Sequence, residues 1–473
     1  MQRAFLSELV RRNQYNLRTL RRAPLAEISG ALGDLGTLLP LMIALALQGS
    51  IDLPATLMFS GLFNIVTGLV FAIPLPVQPM KAIAASAIST HLSLQTTAAA
   101  GALVSLAVLV LSISGALRLL TAHIPVPVIK GIQLGAALRL VASGASLILP
   151  LPWLAPAAPL DSRLAVVAAF LLLFLTQRAP RFPYALILFL LGLLAAAATE
   201  PPVALSSSAR QQQQQQQQQQ PGPLLRFYLP AFASPAAWTA ALSQLPLTTL
   251  NSVVAVSALA ADMTTMGTAP TLAAPPPPPG VTALGLSVAA MNLIGCWAGA
   301  MPACHGAGGL AAQVRFGARS GASVVLLGAA KLALGLVAAF SSPPPPSSSP
   351  SASAAESGGG AVLGLLRRFP RGALGVLVVA AGLELGKAGA AFDRVGRAGE
   401  SGDGVEREEG REREREERWM VMMVTAAGTL AFRNDAVGFL AGCLCHAAYR
   451  VADWTEERRR AWEGVGERRP LLW

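Results

Sequence analysis

The sequence predicts an all-α polytopic membrane protein built from two inverted seven-span repeats. About fourteen helices are expected, the third and tenth short and interrupted, divided between core and gate domains. Three observations carry this. The 473 residues are 53% hydrophobic and only 13% charged, with a mean hydropathy of +0.52, whereas a soluble domain keeps about 25% charged residues to cover its surface. Apolar runs of about 20 residues recur, each long enough to cross a ~30 Å hydrocarbon layer as a helix. One proline-broken motif occurs twice at a fixed offset.

The apolar runs fall at 26–48, 54–73, 78–92, 96–117, 126–149, 162–177, 182–199, 238–261, 281–300, 304–315, 320–340, 362–388 and 419–449. The last is too long for one helix and carries polar "RNDA" in its middle, so it reads as two half-length helices. The first 25 residues are arginine-rich and lack the apolar core and cleavage site of a secretory signal, so the N-terminus is placed in the cytosol. Even-numbered connections then also lie there, among them "RLLTAHIPVPVIK", "QRAPRF" and "VRFGARS". Basic residues concentrate in them, as the positive-inside rule requires. The net charge of +11 therefore reads as topogenic rather than as a nucleic-acid footprint.

The expected order is a cytosolic N-terminal segment (1–25), a first repeat (26–199), a non-cytosolic polyglutamine loop (200–237), a second repeat (238–449) and a cytosolic tail (450–473). Gln211–Gln220, Pro275–Pro279 and Ser341–Gly360 are too simple in composition to bury a core and read as disordered loops. The stretch 393–418 is placed with them, although Glu/Arg pairing in its charged run offers a helical alternative. Cys296, Cys304, Cys443 and Cys445 sit in apolar surroundings without a CxxC pair or metal-ligand spacing. They read as small buried hydrophobes, and neither metal nor cofactor is expected.

Setting "FNIVTGLVFAIPLPVQPMKAIAASA" beside "MNLIGCWAGAMPACHGAGGLAAQ" puts Asn64 on Asn292 and Pro74 on Pro302, both 228 residues apart. In each copy an apolar helix containing Asn runs into a proline, then a polar or glycine-rich turn, then a short helix. Seven spans per half is odd, so the second copy enters the membrane from the opposite side. Matched interruptions of this kind point to a transporter's substrate site. Two short helices with facing N-termini present bare N–H groups and partial positive charge, which suits an oxyanion.

On the first copy, "PVQP" holds Gln78 on irregular backbone, with Met80 and Lys81 opening the short helix. A snorkelling topogenic lysine is the rival reading of Lys81. On the second, "CHGAGG" offers His305, Gly306, Ala307, Gly308 and Gly309, whose glycines let backbone N–H groups approach an anion closely. The rival reading of His305 is a packing histidine. Gln244 shares a stripe with Thr248 and Asn251 at helical spacing and is a further substrate candidate, with interhelical hydrogen bonding as the alternative. Glu27 and Asp34, with Gly30 between them, share a face of the first span and are candidates for proton coupling. A salt bridge from Glu27 to Arg21 or Arg22, and an interfacial place for Asp34, are the alternatives.

"AEISGALGDLGTLLPLMIAL", "PVQPMK", "LPLTTLNSVVAVSALAAD", "MPACHGAGGLAAQVRFGARSG" and "TLAFRNDAVGFLAG" resemble the molybdate transporter family, a branch related to the sulfate permeases. The resemblance spans roughly residues 25–450. It implies high-affinity molybdate uptake for molybdenum cofactor synthesis, with the anion between the third and tenth spans. Gln78 and the turn from His305 to Gly309 match the family's substrate loops, and Glu27 and Asp34 match its first-span motif. As in that family, no STAS domain is expected after the last span. The implied partners are the lipid bilayer and molybdate, with sulfate or tungstate next, and homodimer assembly is left open. A sulfate permease and, more distantly, a nucleobase permease of the same architecture are the rival transporters. An enzyme is disfavoured because HExxH, GxSxG and paired intramembrane aspartates are absent from the sequence.

Overall fold

The computed structural model describes residues 2–156, 158–176, 182–198, 226–266, 276–340, 364, 368–390 and 405–466. The expected loops at 341–360 and 393–404, and the polyglutamine run, lie outside the described residues. Every expected span has a helical counterpart, and among the described residues six helices are long and apolar enough to cross a membrane. Span 1 is Pro24–Ala31 and Leu35–Gln48 joined by a 3-10 turn at Leu32–Asp34. Leu53–Phe71 is span 2, Lys81–Thr90 span 3, Leu94–Ile113 span 4 and Val126–Ile148 span 5. Spans 6 and 7 are Arg163–Leu175 and Tyr184–Ala198.

Span 8 begins as Pro235–Pro246, widens into a π-helix at Leu247–Ala255, and resumes as Val256–Met266. The widening follows Pro246, which has no N–H to give the α-helical ladder. Val281–Gly295 is span 9, Ala307–Arg315 span 10, Ala322–Phe340 span 11 and Arg371–Ala390 span 12. Val405–Ala431 and Asp435–Gly466 contain spans 13 and 14 and meet at the "RNDA" break.

The packing repeats with the sequence. Span 2 packs on span 11 and span 9 on span 4, while span 5 packs on span 12. Adding seven to every number in this set returns the same set, the signature of two halves related by a two-fold axis in the membrane plane. Spans 3 and 8 pack together, as do their equivalents 10 and 1. Spans 1–4 and 8–11 form the core, and spans 5–7 and 12–14 the gate.

Apolar tails offer no hydrophobic drive between helices, so close backbone approach at small residues does that work. A Cβ added at Gly328 would lie 2.5 Å from the Gly61 carbonyl oxygen, and one at Gly321 would lie 2.1 Å from that of Gly68. These contacts lock span 11 onto span 2. In the gate, Gly131 and Gly135 of span 5 meet Thr425 and Thr429, whose other sides meet Gly442 and Gly438 of span 14.

One expectation changes. Residues 405–418, placed in a disordered loop, are helical and continuous with span 13. Their Glu/Arg pattern pairs within the helix, Arg413 with Glu417 and Arg418 with Glu414, and Arg413 also reaches Glu456 at 3.2 Å on the helix of span 14. The tail from 450 continues the helix of span 14 as far as Gly466. Part of the 200–237 loop is ordered: Tyr228 N–H donates to the Trp297 carbonyl at 2.7 Å and Ala231 N–H to Gln95 at 3.0 Å.

The N-terminal segment is a helix, Gln2–Arg22, held to the core by Arg12 Nη1 on the Val70 carbonyl at 2.6 Å and Asn16 Nδ2 on that of Gly68 at 2.9 Å. Glu8 on its surface is held down to a pKa of about 2 by hydrogen bonds from Arg11 and then Arg12. A depressed carboxylate loses its contribution only as pH falls through the folded value, so this helix contributes no titration between pH 5 and 8. Gly328→Val is expected to abolish the folded monodisperse species in detergent, read by size-exclusion chromatography, whereas Leu334→Val on the exposed face of the same helix leaves the peak in place; equal profiles would contradict the packing described.

Candidate oxyanion site

Pro74, Pro76 and Pro79 in the first copy and Pro302 in the second prevent a helix from crossing the middle of the membrane, so the main chain there must find other partners. It finds them in the opposite repeat. Strand β1, Val77–Pro79, pairs antiparallel with β2, Ala303–His305, in the register Val77 to His305, Gln78 to Cys304 and Pro79 to Ala303. Met80 N–H extends the ribbon by donating to the Pro302 carbonyl at 2.8 Å. The repeat asparagines close its outer edges. Asn292 accepts from Ala303 N–H through Oδ1 and donates to the Ala303 carbonyl through Nδ2, both at 2.6 Å, while Asn64 Oδ1 accepts from Val77 N–H at 2.8 Å. Pro74 and Pro302 mark where each preceding span gives way to this ribbon.

Each strand feeds a short helix, span 3 from β1 and span 10 from β2. Because the strands are antiparallel, the helix N-termini flank the ribbon from opposite sides. Facing residues of an antiparallel pair share a side of the sheet. Gln78 therefore lies on the side of Cys304, and His305 on the side of Val77.

The Gln78 amide lies directly over the start of span 10: a Cβ added at Gly306 would fall 1.7 Å from Gln78 Oε1, and one at Gly309 would fall 2.4 Å from Gln78 Nε2. Gln78, His305, Gly306, Ala307, Gly308 and Gly309 are all buried. Gly308 faces elsewhere; its Cβ would meet Leu140 of span 5 at 2.5 Å, so this glycine sets the contact between core and gate. His305 Nε2 meets Ser287 Oγ of span 9 at 2.9 Å and its ring stands edge-on to Phe71. It is buried between the two repeats, on the side of the ribbon away from Gln78.

Gln244 reaches the other short helix. Its Oε1 accepts from Ala82 N–H at 2.8 Å and Ile83 N–H at 3.4 Å, while its Nε2 donates to Thr248 Oγ1 at 2.9 Å. It thus caps span 3 from the second repeat, with Met80 buried at the cap position and Lys81 as the first helical residue. The α-helical spacing from Gln244 holds to Thr248; the wider turn of 247–255 interrupts it before Asn251. Glu27 is buried and its Oε1 accepts from Arg319 N–H at 3.0 Å and Ser320 Oγ at 3.2 Å. It ties span 1 to the turn after span 10. Asp34 ends the 3-10 turn of span 1.

Several residues were not singled out from sequence. Lys331, buried in span 11, donates from Nζ to the Val77 carbonyl at 3.5 Å and adds positive charge behind the ribbon. Ser252 of the π-segment donates to Cys304 Sγ at 3.2 Å. Arg139 of span 5 pairs with buried Asp435 of span 14. A lone lysine within an apolar run was the available signal for Lys331, and the "RNDA" break for Asp435. The site can hold a compact anion: it offers a carboxamide, glycine-lined N–H groups at a helix N-terminus, and lysines to either side. Asn292→Ala strips the partners from a buried N–H and C=O, each worth about 1–3 kcal/mol; the melting temperature is expected to fall by several degrees in a fluorescence thermal-shift assay, and an unchanged value would contradict the ribbon's role.

A family model described as "Molybdate transporter of MFS superfamily" matches residues 26–140 and 236–342. Molybdate transporter 2 of Arabidopsis thaliana is 35% identical over 412 residues, covering 77% of this chain and 78% of that one. Molybdate transporter 1 of the same plant is 33% identical over 483 residues, covering 93% and 90%. Among solved structures, murine Solute Carrier 26 family member A9, an anion transporter in the inward-facing state, is similar in fold at a TM-score of 0.51 and 12% identity, over 91% of this chain and 68% of that one. Inverted seven-span halves with paired half-helices fit that architecture rather than the parallel halves of MFS transporters. With this identity sustained over most of both sequences, the chain belongs to the molybdate transporter family.

Proposed function

We propose that this protein is a secondary active transporter that moves molybdate across a membrane and supplies molybdenum for cofactor synthesis. The observation that carries the reading is the Gln78 amide lying over Gly306 and Gly309 at the N-terminus of span 10. A tetrahedral dianion entering there would accept hydrogen bonds from the carboxamide and from the bare N–H groups of the first turn, with the dipoles of two short helices in its favour. Lys81 and Lys331 add charge without crowding the cradle. Gln78, Met80, Lys81, Gln244 and the turn from His305 to Gly309 are proposed as its substrate shell. Gln244 acts through the cap it places on span 3, and His305 through packing. Movement of the core past the gate, with Leu140 riding on Gly308, would expose the cradle to one side and then the other. The positive-inside pattern supports cytosolic termini.

Charge and shape are common to molybdate and sulfate, so preference must come from the size of the cradle. Molybdate is the larger ion, and the two positions where a side chain cannot be added, Gly306 and Gly309, bound the space it needs. The test is molybdate accumulation in cells lacking their own uptake, measured by elemental analysis at matched surface expression. Gln78→Ala removes a charge-assisted hydrogen bond of about 1.5–3 kcal/mol and is expected to weaken uptake by about tenfold to a hundredfold. Gly306→Ala and Gly309→Ala are expected to abolish it, and His305→Gln to cost less than either. Wild-type uptake by Gln78→Ala would overturn the site, and sulfate competing as well as molybdate would overturn the substrate preference.

A further inference from the structure

Asp435 is a carboxylate in the middle of a membrane-spanning helix pair, 2% exposed, at the start of span 14 where the "RNDA" turn interrupts the bilayer crossing. An ionisable group at such a depth is costly and is retained where it faces a partner or a pathway. Its partners are on the page. Arg139 of span 5 donates from Nη2 to Asp435 Oδ1. Lys81, the first residue of span 3 and three positions from Gln78, lies close enough to act on it electrostatically. Oδ2 has no hydrogen-bond partner among the described residues.

The elements packed against span 14 are span 13, span 5 and the π-segment of span 8. Span 13 brings Thr425 and Thr429, span 5 brings Arg139, and residues 247–255 bring no titratable side chain. Arg433 in the same turn is exposed. Among the described residues, the charges facing Asp435 are thus those of Arg139 and Lys81. Leu140, adjacent to Arg139, is the residue that packs on Gly308. This cluster is therefore where the gate meets the proposed anion cradle.

Two cations and one carboxylate leave the cluster with a single positive charge when no anion is present. A dianion arriving beside Lys81 reverses the balance. It competes with Asp435 for the same cations, and like charges at short range in a poorly hydrated site drive one of them to protonate. Asp435 presents a buried oxygen with no hydrogen-bond partner among the described residues, so the proton goes to the carboxylate. From this geometry we infer that Asp435 is the proton-coupling carboxylate: it is ionised and paired with Arg139 and Lys81 in the empty site, and takes up one proton, on the partnerless Oδ2, when the dianion binds. The cluster plus ligand is then neutral, the state in which core can move past gate at least electrostatic cost. Glu27, the sequence-based candidate, likewise has one engaged and one partnerless oxygen, but it faces the turn at Arg319 and Ser320 rather than Arg139 and Lys81. The inference rests on the oxyanion-transport reading above.

Linkage sets the sign. If binding takes up a proton, affinity for the dianion rises as pH falls through the interval between the carboxylate's values in the occupied and empty states, by up to about tenfold per pH unit. The experiment uses the full-length protein in proteoliposomes loaded with a pH-sensitive dye, with the membrane potential clamped. Radiolabelled molybdate is added outside, and the ratio of protons to molybdate entering is read from pH 5.5 to 8. The wild type is expected to acidify the lumen by about one proton per molybdate, with uptake rising as pH falls. Asp435→Asn, which mimics the protonated carboxyl, is expected to carry no protons with whatever molybdate it still moves and to lose the pH dependence. Asp435→Glu is expected to remain coupled with a shifted pH profile, which a merely structural role would not produce.

A wild-type ratio in Asp435→Asn, or an unshifted profile in Asp435→Glu, would overturn the assignment. Wild-type molybdate entry without acidification would overturn proton coupling and leave molybdate transport standing. Failure of the wild type to exchange labelled for unlabelled molybdate would overturn the transport reading itself.

Discussion

Everything else in this molecule depends on a two-stranded ribbon in the middle of a membrane. Hydrocarbon offers no partner for a peptide group, so main chain that leaves a helix there must be paired within the protein. Here each repeat satisfies the other: β1 and β2 exchange hydrogen bonds, and Asn64 and Asn292 complete their outer edges. The constraint explains why two halves are needed. One copy of the motif would leave a strand edge bare at the bilayer centre. It also explains why both short helices begin at the same depth, since paired strands fix where the chain can resume its helical ladder.

From that ribbon the site follows with few further choices. Gln78 is turned toward span 10 by the strand's alternation, and the glycines at 306 and 309 make room for it. Gln244, arriving from span 8, covers the first N–H groups of span 3. The two short helices are therefore not equivalent: one start is capped by a side chain of the opposite repeat, and the other is overlain by an amide and lined by glycine. The likeness of the halves ends at this point, and the asymmetry gives a single ligand one preferred seat. Core and gate are joined beyond the site by ion pairs, Lys130 with Asp262 at 2.5 Å and Arg315 with Glu384 at 3.9 Å, both at the membrane face where the N-terminus lies.

The fold was legible because its signals are long-range regularities in sequence. Apolar run length sets each span, the fixed offset between Asn64 and Asn292 reveals the repeat, and an odd number of spans sets its inversion. The ends of the site were legible for a local reason: proline and glycine state what the backbone cannot or can do. What stayed hidden depends on which side chain meets which across the two halves. Nothing in "CHGAGG" says that Gly308 faces Leu140 while Gly306 and Gly309 face Gln78, because that follows from the pitch of span 10 against span 5. The orientation of His305 away from Gln78 follows from strand register, which no single-copy motif encodes. Glu/Arg-rich 405–418 was misplaced because a helix of that composition needs its partner at Glu456 to be held in place, and that partner is remote in sequence.

The most direct test of the account is equilibrium binding of radiolabelled molybdate to the purified protein in detergent, with no transport step to confuse affinity with turnover. The cradle described here predicts saturable binding at one site per chain, lost in Gly306→Ala although that variant elutes as a folded monodisperse species. Binding by folded Gly306→Ala equal to that of the unaltered protein would contradict it.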